Sequence, residues 1–256
     1  MADSNRGQFV WYENLTKDPK GAIAFYTEVV GWKTQPFGAG SDYEMWVGSQ
    51  GPLGGVYTLP AEAENMGAPP HWIGNVLVDD VDATAAQVVT LGGKIYKAPA
   101  DIPTVGRFAV IADPQGAPIA IFNSSQGMAP HDASKEGEFC WHELLTSDSA
   151  AAFAFYSAIF GWKVLQEMDM GPMGTYRIYG ICDKALGGMM TISCNAGMKP
   201  HWLYYVAVSD LDAALARATK RGATVLNGPM DVPDGRIVQL KDPQGAAFAL
   251  HQAAKK

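Results

Sequence analysis

The chain repeats itself. Residues Phe9 to Thr34, FVWYENLTKDPKGAIAFYTEVVGWKT, align without a gap on Phe139 to Val164, FCWHELLTSDSAAAFAFYSAIFGWKV, with 13 of 26 positions identical. The same 130-residue offset brings His71-Trp72 onto His201-Trp202, Asp82 onto Asp212 and Gly92 onto Gly222. After a gap of one residue, Gly106-Arg107 falls on Gly235-Arg236 and the DPQGA of 113–117 on that of 242–246. Self-similarity at a fixed offset marks a tandem duplication, so a fold assigned to one half must serve for the other. The 256 residues then divide into a first domain, 1–122, a linker, 123–138, and a second domain, 139–256. The linker sequence, NSSQGMAPHDASKEGE, is small, polar and poor in apolar residues.

Each half reads in turn as two similar units of strand, helix and three strands. An alternating segment, Phe9 to Leu15, precedes a helix with Asp18 at its cap, Pro19 at its first position and Gly31 past its end. Short strands follow near 32–36, 43–48 and 53–59. The second unit starts at His71 to Val78 and continues with a helix from about Asp82 to Leu91. Strands near Lys94, at 107–112 and at 117–122 complete it, the last two joined by the turn Asp113-Pro114-Gln115-Gly116. Four βαβββ units result, an α+β architecture.

Composition narrows the function classes. Apolar residues at 48% supply a full core, and the net charge of −7 comes with no run of Lys or Arg. Nucleic acid and membrane surfaces are therefore not expected as partners. No apolar run approaches the ~20 residues that cross a bilayer, and the polar N-terminus does not read as a signal peptide, so the chain is expected in the cytoplasm. Cys140, Cys182 and Cys194 form no C-x-x-C pair and read as buried, reduced thiols.

The A-F-Y and following G-W blocks (Ala24 to Trp32, Ala154 to Trp162), the V-x-D-x-D-A segments (Val78 to Ala83, Val208 to Ala213) and the D-P-Q-G-A turns resemble the vicinal oxygen chelate superfamily. That group includes glyoxalase, bleomycin-resistance proteins and extradiol dioxygenases, and the resemblance covers nearly the whole chain. It implies a tandem pair of domains, each a curved mixed sheet of two βαβββ units around a cavity, with helices outside. Metal-dependent relatives place His, Glu or Gln on the first strand of each unit and Glu on the last. The matching positions here hold Trp11 and Trp141, Ile73 and Leu203, and Ala120 and Ala249, none of which can hold a divalent cation. Glu13, Glu143, His71, His201 and His251 lie two residues away on the same side, a shift of ~6.6 Å. The shifts run forward for the glutamates and backward for His71 and His201, which separates rather than gathers them. No metal and no other cofactor is expected.

Strand alternation puts Trp11, Glu13, His71, Ile73, Asn75, Ala120 and Phe122 on the cavity side of the first half. In the second half the set is Trp141, Glu143, His201, Leu203, Tyr205, Ala249 and His251, which is richer in titratable groups. Glu13 and Glu143 are either structural carboxylates bonded to backbone or a cation, or desolvated acids that bind a ligand or move a proton. His71 and His201 follow prolines and either stabilise a turn or touch ligand, while His251 is either solvent-facing or part of the site. Trp11 and Trp141 suit the floor of a cavity for a flat ligand. Tyr26, Tyr156, Trp32, Trp162 and His142 read as packing, and Arg107 and Arg236 as loop anchors.

Glu143, His201 and His251 are thus the expected catalytic candidates, and Trp141, Tyr205, Leu203, Trp11, Glu13 and His71 the expected ligand-binding residues. The leading expectation is a metal-independent protein that binds a small apolar or aromatic molecule in resistance or detoxification. Next comes a metal-free isomerase, lyase or hydrolase in which Glu143, with His201 or His251, transfers protons. A metal-dependent glyoxalase is third and a structural or interaction role fourth; the sequence also leaves room for a homodimer.

Overall fold

The computed structural model describes residues 5–38, 41–192 and 198–254. The first half runs β1 (Phe9–Thr16), α1 (Pro19–Val29), β2 (Lys33–Pro36), β3 (Glu44–Gly48), β4 (Gly51–Thr58), a short α2 (Ala61–Asn65), β5 (His71–Leu77), α3 (Val81–Thr90), β6 (Lys94–Ile102), β7 (Gly106–Ala112) and β8 (Pro118–Ser124). The second half runs β9 (Phe139–Thr146), α4 (Ser149–Phe160), β10 (Lys163–Asp169), β11 (Thr175–Ile181), β12 (Lys184–Thr191), β13 (His201–Ala207), α5 (Leu211–Lys220), β14 (Thr224–Val232), β15 (Gly235–Lys241) and β16 (Ala247–Ala253). Each half forms one eight-stranded mixed sheet, in the orders β2-β3-β4-β1-β5-β8-β7-β6 and β10-β11-β12-β9-β13-β16-β15-β14. The four βαβββ units read from the sequence are present; α2 is an addition that its five polar or small residues did not announce.

The four longer helices start alike. Asp18, Asp80, Asp148 and Asp210 each accept a backbone N–H from the first turn of α1, α3, α4 and α5, which satisfies donors that the helix itself leaves open. At its other end α4 closes on Gly161, at φ 75°, a left-handed conformation that glycine adopts without steric cost.

The chain packs into two compact units, and each draws on both halves. One comprises the N-terminal residues through Val10, Gly74–Pro130 and His142–Trp202. Within it α3 packs on α4, and Gln87 donates to the Ala158 carbonyl at 3.1 Å. Fully buried Tyr156 hydrogen-bonds Asp113 and receives Trp202 Nε1 at 3.2 Å. Asp113 Oδ1 accepts the N–H groups of Gly116 and Ala117, and Trp162 Nε1 donates to the Gly7 carbonyl at 2.7 Å.

The other unit comprises Trp11–Ile73, His131–Trp141 and Leu203–Lys256, and repeats these contacts with the halves exchanged. There α1 packs on α5, Arg221 pairs with Glu28 and Arg217 donates to the Val29 carbonyl. Tyr26 donates to Asp242 Oδ2 at 2.9 Å and accepts from Trp72 Nε1 at 2.8 Å. Asp242 Oδ1 takes three N–H groups of its own turn. Trp32 Nε1 donates to the Gly137 carbonyl at 2.7 Å. The A-F-Y and D-P-Q-G signals are therefore partners of one another across the duplication, the G-W indoles donate to glycine carbonyls outside these motifs, and Tyr26, Tyr156, Trp32 and Trp162 do more than pack.

The segment expected as a linker is partly anchored. Asn123 and Ser124 finish β8, while Gly137 and Glu138 bond to Ala207 through backbone. The Glu138 carboxylate, 2% exposed, pairs with His131 at 2.9 Å.

Candidate functional site

The two glutamates singled out by the repeat sit in matching geometry. Glu13 of β1 lies beside Gly55 of β4, and Glu143 of β9 beside Gly188 of β12. Neither glycine has a side chain to fill the space above it, and in each half a tyrosine at the start of the next strand crosses it. A Cβ at Gly55 would meet the Tyr43 ring at 2.1 Å, and one at Gly188 would meet the Tyr176 ring at 2.1 Å. Laid over the glycine, Tyr43 Oη donates to Glu13 Oε1 at 3.0 Å, and Tyr176 Oη donates to Glu143 Oε1 at 2.9 Å. Both glutamates thus hold a phenol, a partner named by neither the structural nor the functional reading of them above.

The halves then diverge. Trp11 Nε1 donates to Tyr43 Oη at 2.7 Å, and Tyr57 stacks on Tyr43 with ring centroids 5.4 Å apart. Burial first, and the Glu13 charge second, hold both phenols well above their ordinary range, so both are protonated donors. The first-half face is therefore richer in polar groups than Asn75 and Phe122 suggested. Glu143 is the more deeply buried carboxylate, at 6% exposure, whereas Glu13 is half-buried. Neither tyrosine was identified from the sequence. The available signal was spacing: Tyr43 precedes Gly55 by the same interval as Tyr176 precedes Gly188, each in an L-G-G segment.

Leu203, Tyr205 and Ala249 form one buried cluster with Trp141 and Cys140 packed against it, so three of the expected ligand-binding residues are brought together. Tyr205 Oη accepts from Gln239 Nε2 at 2.7 Å. His251 is not solvent-facing: its side chain is 14% exposed, with Nε2 3.7 Å from Asp234 Oδ1. His71 and His201 each turn Nδ1 to a carbonyl two residues back, Pro69 at 2.7 Å and Lys199 at 2.8 Å. Each ring therefore bonds within the turn that precedes its strand, with Nδ1 engaged. Burial lowers both imidazole pKa values, opposed in part by those carbonyls. His142 donates Nδ1–H to the Leu186 carbonyl at 2.6 Å and stacks on Phe9 at 3.9 Å. Arg107 bonds Asp82 of α3 and Asp101 of β6, and Arg236 bonds Asp212 of α5, so each ties its hairpin to the first turn of the preceding helix.

Cys182 is exposed and Cys140 half-buried, which corrects the reading of the cysteines as uniformly buried; Cys194 lies outside the described residues. A shallow cleft of about 200 Å³, lined in part by Arg6, Leu77, Asp79 and Asn123, contains none of the expected site residues. Its polar side chains are turned to protein partners, Asn123 to the Val78 carbonyl and Arg6 to Asp79.

The donor set does not fit a metal. Trp, Ile or Leu, and Ala occupy the positions at which the resemblance implies ligands. Among the described residues no three His, Cys, Asp or Glu side chains converge as ligands would. The Glu13 and Glu143 oxygens described above instead accept from tyrosine.

Comparison with known proteins places this geometry. Residues 141–250 match the model of the Glyoxalase/Bleomycin resistance protein/Dioxygenase superfamily, and residues 11–122 match that of the glyoxalase-like domain. The chain is 34% identical over 248 residues, 95% of its length and 94% of the relative's, to "Putative glyoxylase CFP32" of Mycobacterium tuberculosis. It is 32% identical over 257 residues, 95% of its length and 92% of the relative's, to anthracycline biosynthesis protein DnrV of Streptomyces peucetius. Its fold is similar to that of the Mn(II)-bound glyoxalase from Novosphingobium aromaticivorans. That likeness has a TM-score of 0.66 and 15% identity, and covers 97% of this chain and 83% of the other. With both halves matched and relatives above 30% identity over nearly full length, this chain belongs to the glyoxalase/bleomycin-resistance/dioxygenase group, the vicinal oxygen chelate superfamily.

Proposed function

We propose that the protein binds a flat, apolar or aromatic small molecule without a metal, in the cytoplasm, in resistance or detoxification. The observation that carries this reading is the carboxylate–phenol pair built in both halves, Tyr176 on Glu143 at 2.9 Å and Tyr43 on Glu13 at 3.0 Å. Each lies across a glycine on a sheet face that also bears the ligand-binding candidates. Binding sites of this kind combine apolar and aromatic walls with a few oriented polar atoms. In such a pair the carboxylate accepts from a hydroxyl or N–H of the ligand, and the phenol oxygen offers a further acceptor. Relatives named for anthracycline biosynthesis favour a polycyclic aromatic ligand, and the lack of donors at the ligand positions favours capture without a cation.

The test is titration of chelator-treated protein with 1,4-dihydroxyanthraquinone, followed by tryptophan quenching. Saturable binding that survives chelation and weakens about tenfold in Glu143→Gln is expected. Binding lost on chelation and restored by Mn(II) would overturn the metal-independent reading, and no saturation would overturn the aromatic one.

A second reading is a metal-free isomerase, lyase or hydrolase in which Glu143 moves a proton with His201. Favouring it is the depth of Glu143, since a desolvated carboxyl group can serve as an acid or base. Under it, Glu143→Gln abolishes turnover while leaving the dissociation constant within about threefold.

A further inference from the structure

One cysteine that neither reading uses stands beside a histidine and a carboxylate. Cys140 Sγ is 3.7 Å from His251 Nδ1, and the other ring nitrogen, Nε2, is buried and 3.7 Å from Asp234 Oδ1. Thiol, imidazole and carboxylate come from β9, β16 and the β14–β15 turn, and each ring nitrogen faces one of the other two. This is the order of a nucleophile, its base and a group that orients the base. Distances in unliganded sites of this type are commonly longer than a hydrogen bond and tighten with the reactant present. At rest the thiol donates to the Tyr205 carbonyl at 3.5 Å. Burial, with Asp234 adding to it, pushes the thiol up to about 12, so it is neutral and needs a base at the moment of reaction.

Duplication supplies the control. At the corresponding places the first half carries Val10, Phe122 and Val105, so the fold forms without this set. The surroundings are apolar: Trp141, Leu203, Ala249 and Ile237 pack in the same cluster. They suit an uncharged carbon electrophile.

We propose that Cys140 is a nucleophile that captures apolar α,β-unsaturated carbonyl compounds, with His251 as its base and Asp234 as the residue positioning the imidazole. Sγ forms a bond to the β-carbon while the C=C π pair moves toward the carbonyl oxygen as an enolate. The thiol proton passes to His251 Nδ1 and returns to the α-carbon. Nothing leaves and nothing is oxidised or reduced; the product is a thioether on Cys140. This step goes beyond reversible ligand binding and does not involve Glu143. The ionisable groups near this set are Asp234, the Tyr205 phenol, whose oxygen is held by Gln239, Arg236, which is held by Asp212 and Asp231, and the Tyr12 phenol beside Cys140.

The experiment is labelling of the full chain carrying Cys182→Ser and Cys194→Ser with N-phenylmaleimide, read by intact mass and peptide mapping. One adduct on Cys140 is expected. Its rate at pH 7 should fall at least tenfold in His251→Phe, the residue found at that place in the first half, and about threefold in Asp234→Asn. Between pH 6 and 9 the rate should climb by clearly less than tenfold per pH unit, since the proton is taken by a base within the set rather than by solvent. Equal rates within twofold in His251→Phe would overturn the proposal. So would a rate climbing tenfold per pH unit through pH 9, the mark of a free thiolate, or no adduct on Cys140 while Cys182 of the unsubstituted chain reacts. Should His251→Phe not fold, His251→Gln and the pH profile of the unsubstituted residue decide by the same criteria.

Discussion

His142 carries the clearest consequence at the scale of a single residue. It is buried against Phe9, its Nδ1–H is held by the Leu186 carbonyl, and burial depresses its pKa to about 4. An unfolded chain protonates this histidine near pH 6.5, so between pH 6.5 and 4 the unfolded state binds a proton that the native state refuses. The native state therefore loses stability as pH falls through that window, by about 3 kcal/mol at its foot. Tyrosine occupies the matching position in the first half, as Tyr12. In His142→Tyr that part of the slope should vanish: urea unfolding at pH 7 and pH 4.5 should show about 2 kcal/mol less loss than in the unsubstituted protein. An unchanged pH dependence would contradict the assignment. The glutamates were legible because identical acids stand at equivalent places in both halves. Their tyrosines were not, because Tyr43 and Tyr176 reach them only through a strand register that sequence spacing leaves open.

At the scale of elements, the glycine strip of β4 and β12 decides where the phenols go. A methyl group at position 188 would stand 2.1 Å from the Tyr176 ring, closer than any relaxed contact, so the tyrosine must swing away from Glu143. Gly188→Ala should therefore mimic Tyr176→Phe in weakening aromatic binding, by several-fold, with a stability loss of about 1 kcal/mol. Unchanged affinity in the alanine variant would detach the tyrosine from the site. Local signals served well at this scale. Asp18 and the terminal glycines mark helices in the sequence, since a cap depends only on residues three or four apart, whereas the cap of α3, Asp80, lies ahead of the start read near Asp82. In the first half, predicted and observed strands differ by one or two residues except at β6, read only as near Lys94, whose continuation to Ile102 is set by pairing with β7.

For the whole molecule, both compact units need both halves of the chain. Tyr26 is tied to Asp242, 216 residues away, and Trp32 to Gly137. A chain ending near residue 130 would lack these partners and expose the α1 face that packs on α5. Expressed alone, a half should either stay unfolded or pair with a second copy whose Asp113 turn stands in for Asp242. Circular dichroism with sedimentation checks this; a folded, monomeric half that reproduces a transition of the full chain would contradict it. In the full chain Tyr26→Phe should cost about 1–3 kcal/mol, because it removes a donor from a buried carboxylate.

Sequence by itself determined the duplication, the four βαβββ units, the cap of α1 and the absence of ligand chemistry at the positions where the resemblance implies metal ligands. All of these are written in residues close together or in positions aligned by the repeat. Only the tertiary structure decided which half supplies each partner. Both halves carry the same tyrosine, the same indole and the same aspartate turn, so Tyr26 could by chemistry alone have bonded Asp113. Packing of α1 on α5 and of α3 on α4 resolved that choice in favour of the other half. The strand order β9-β13-β16 within the second sheet brought Cys140 to His251 across 111 residues, a proximity with no local signature because no short-range periodicity encodes it.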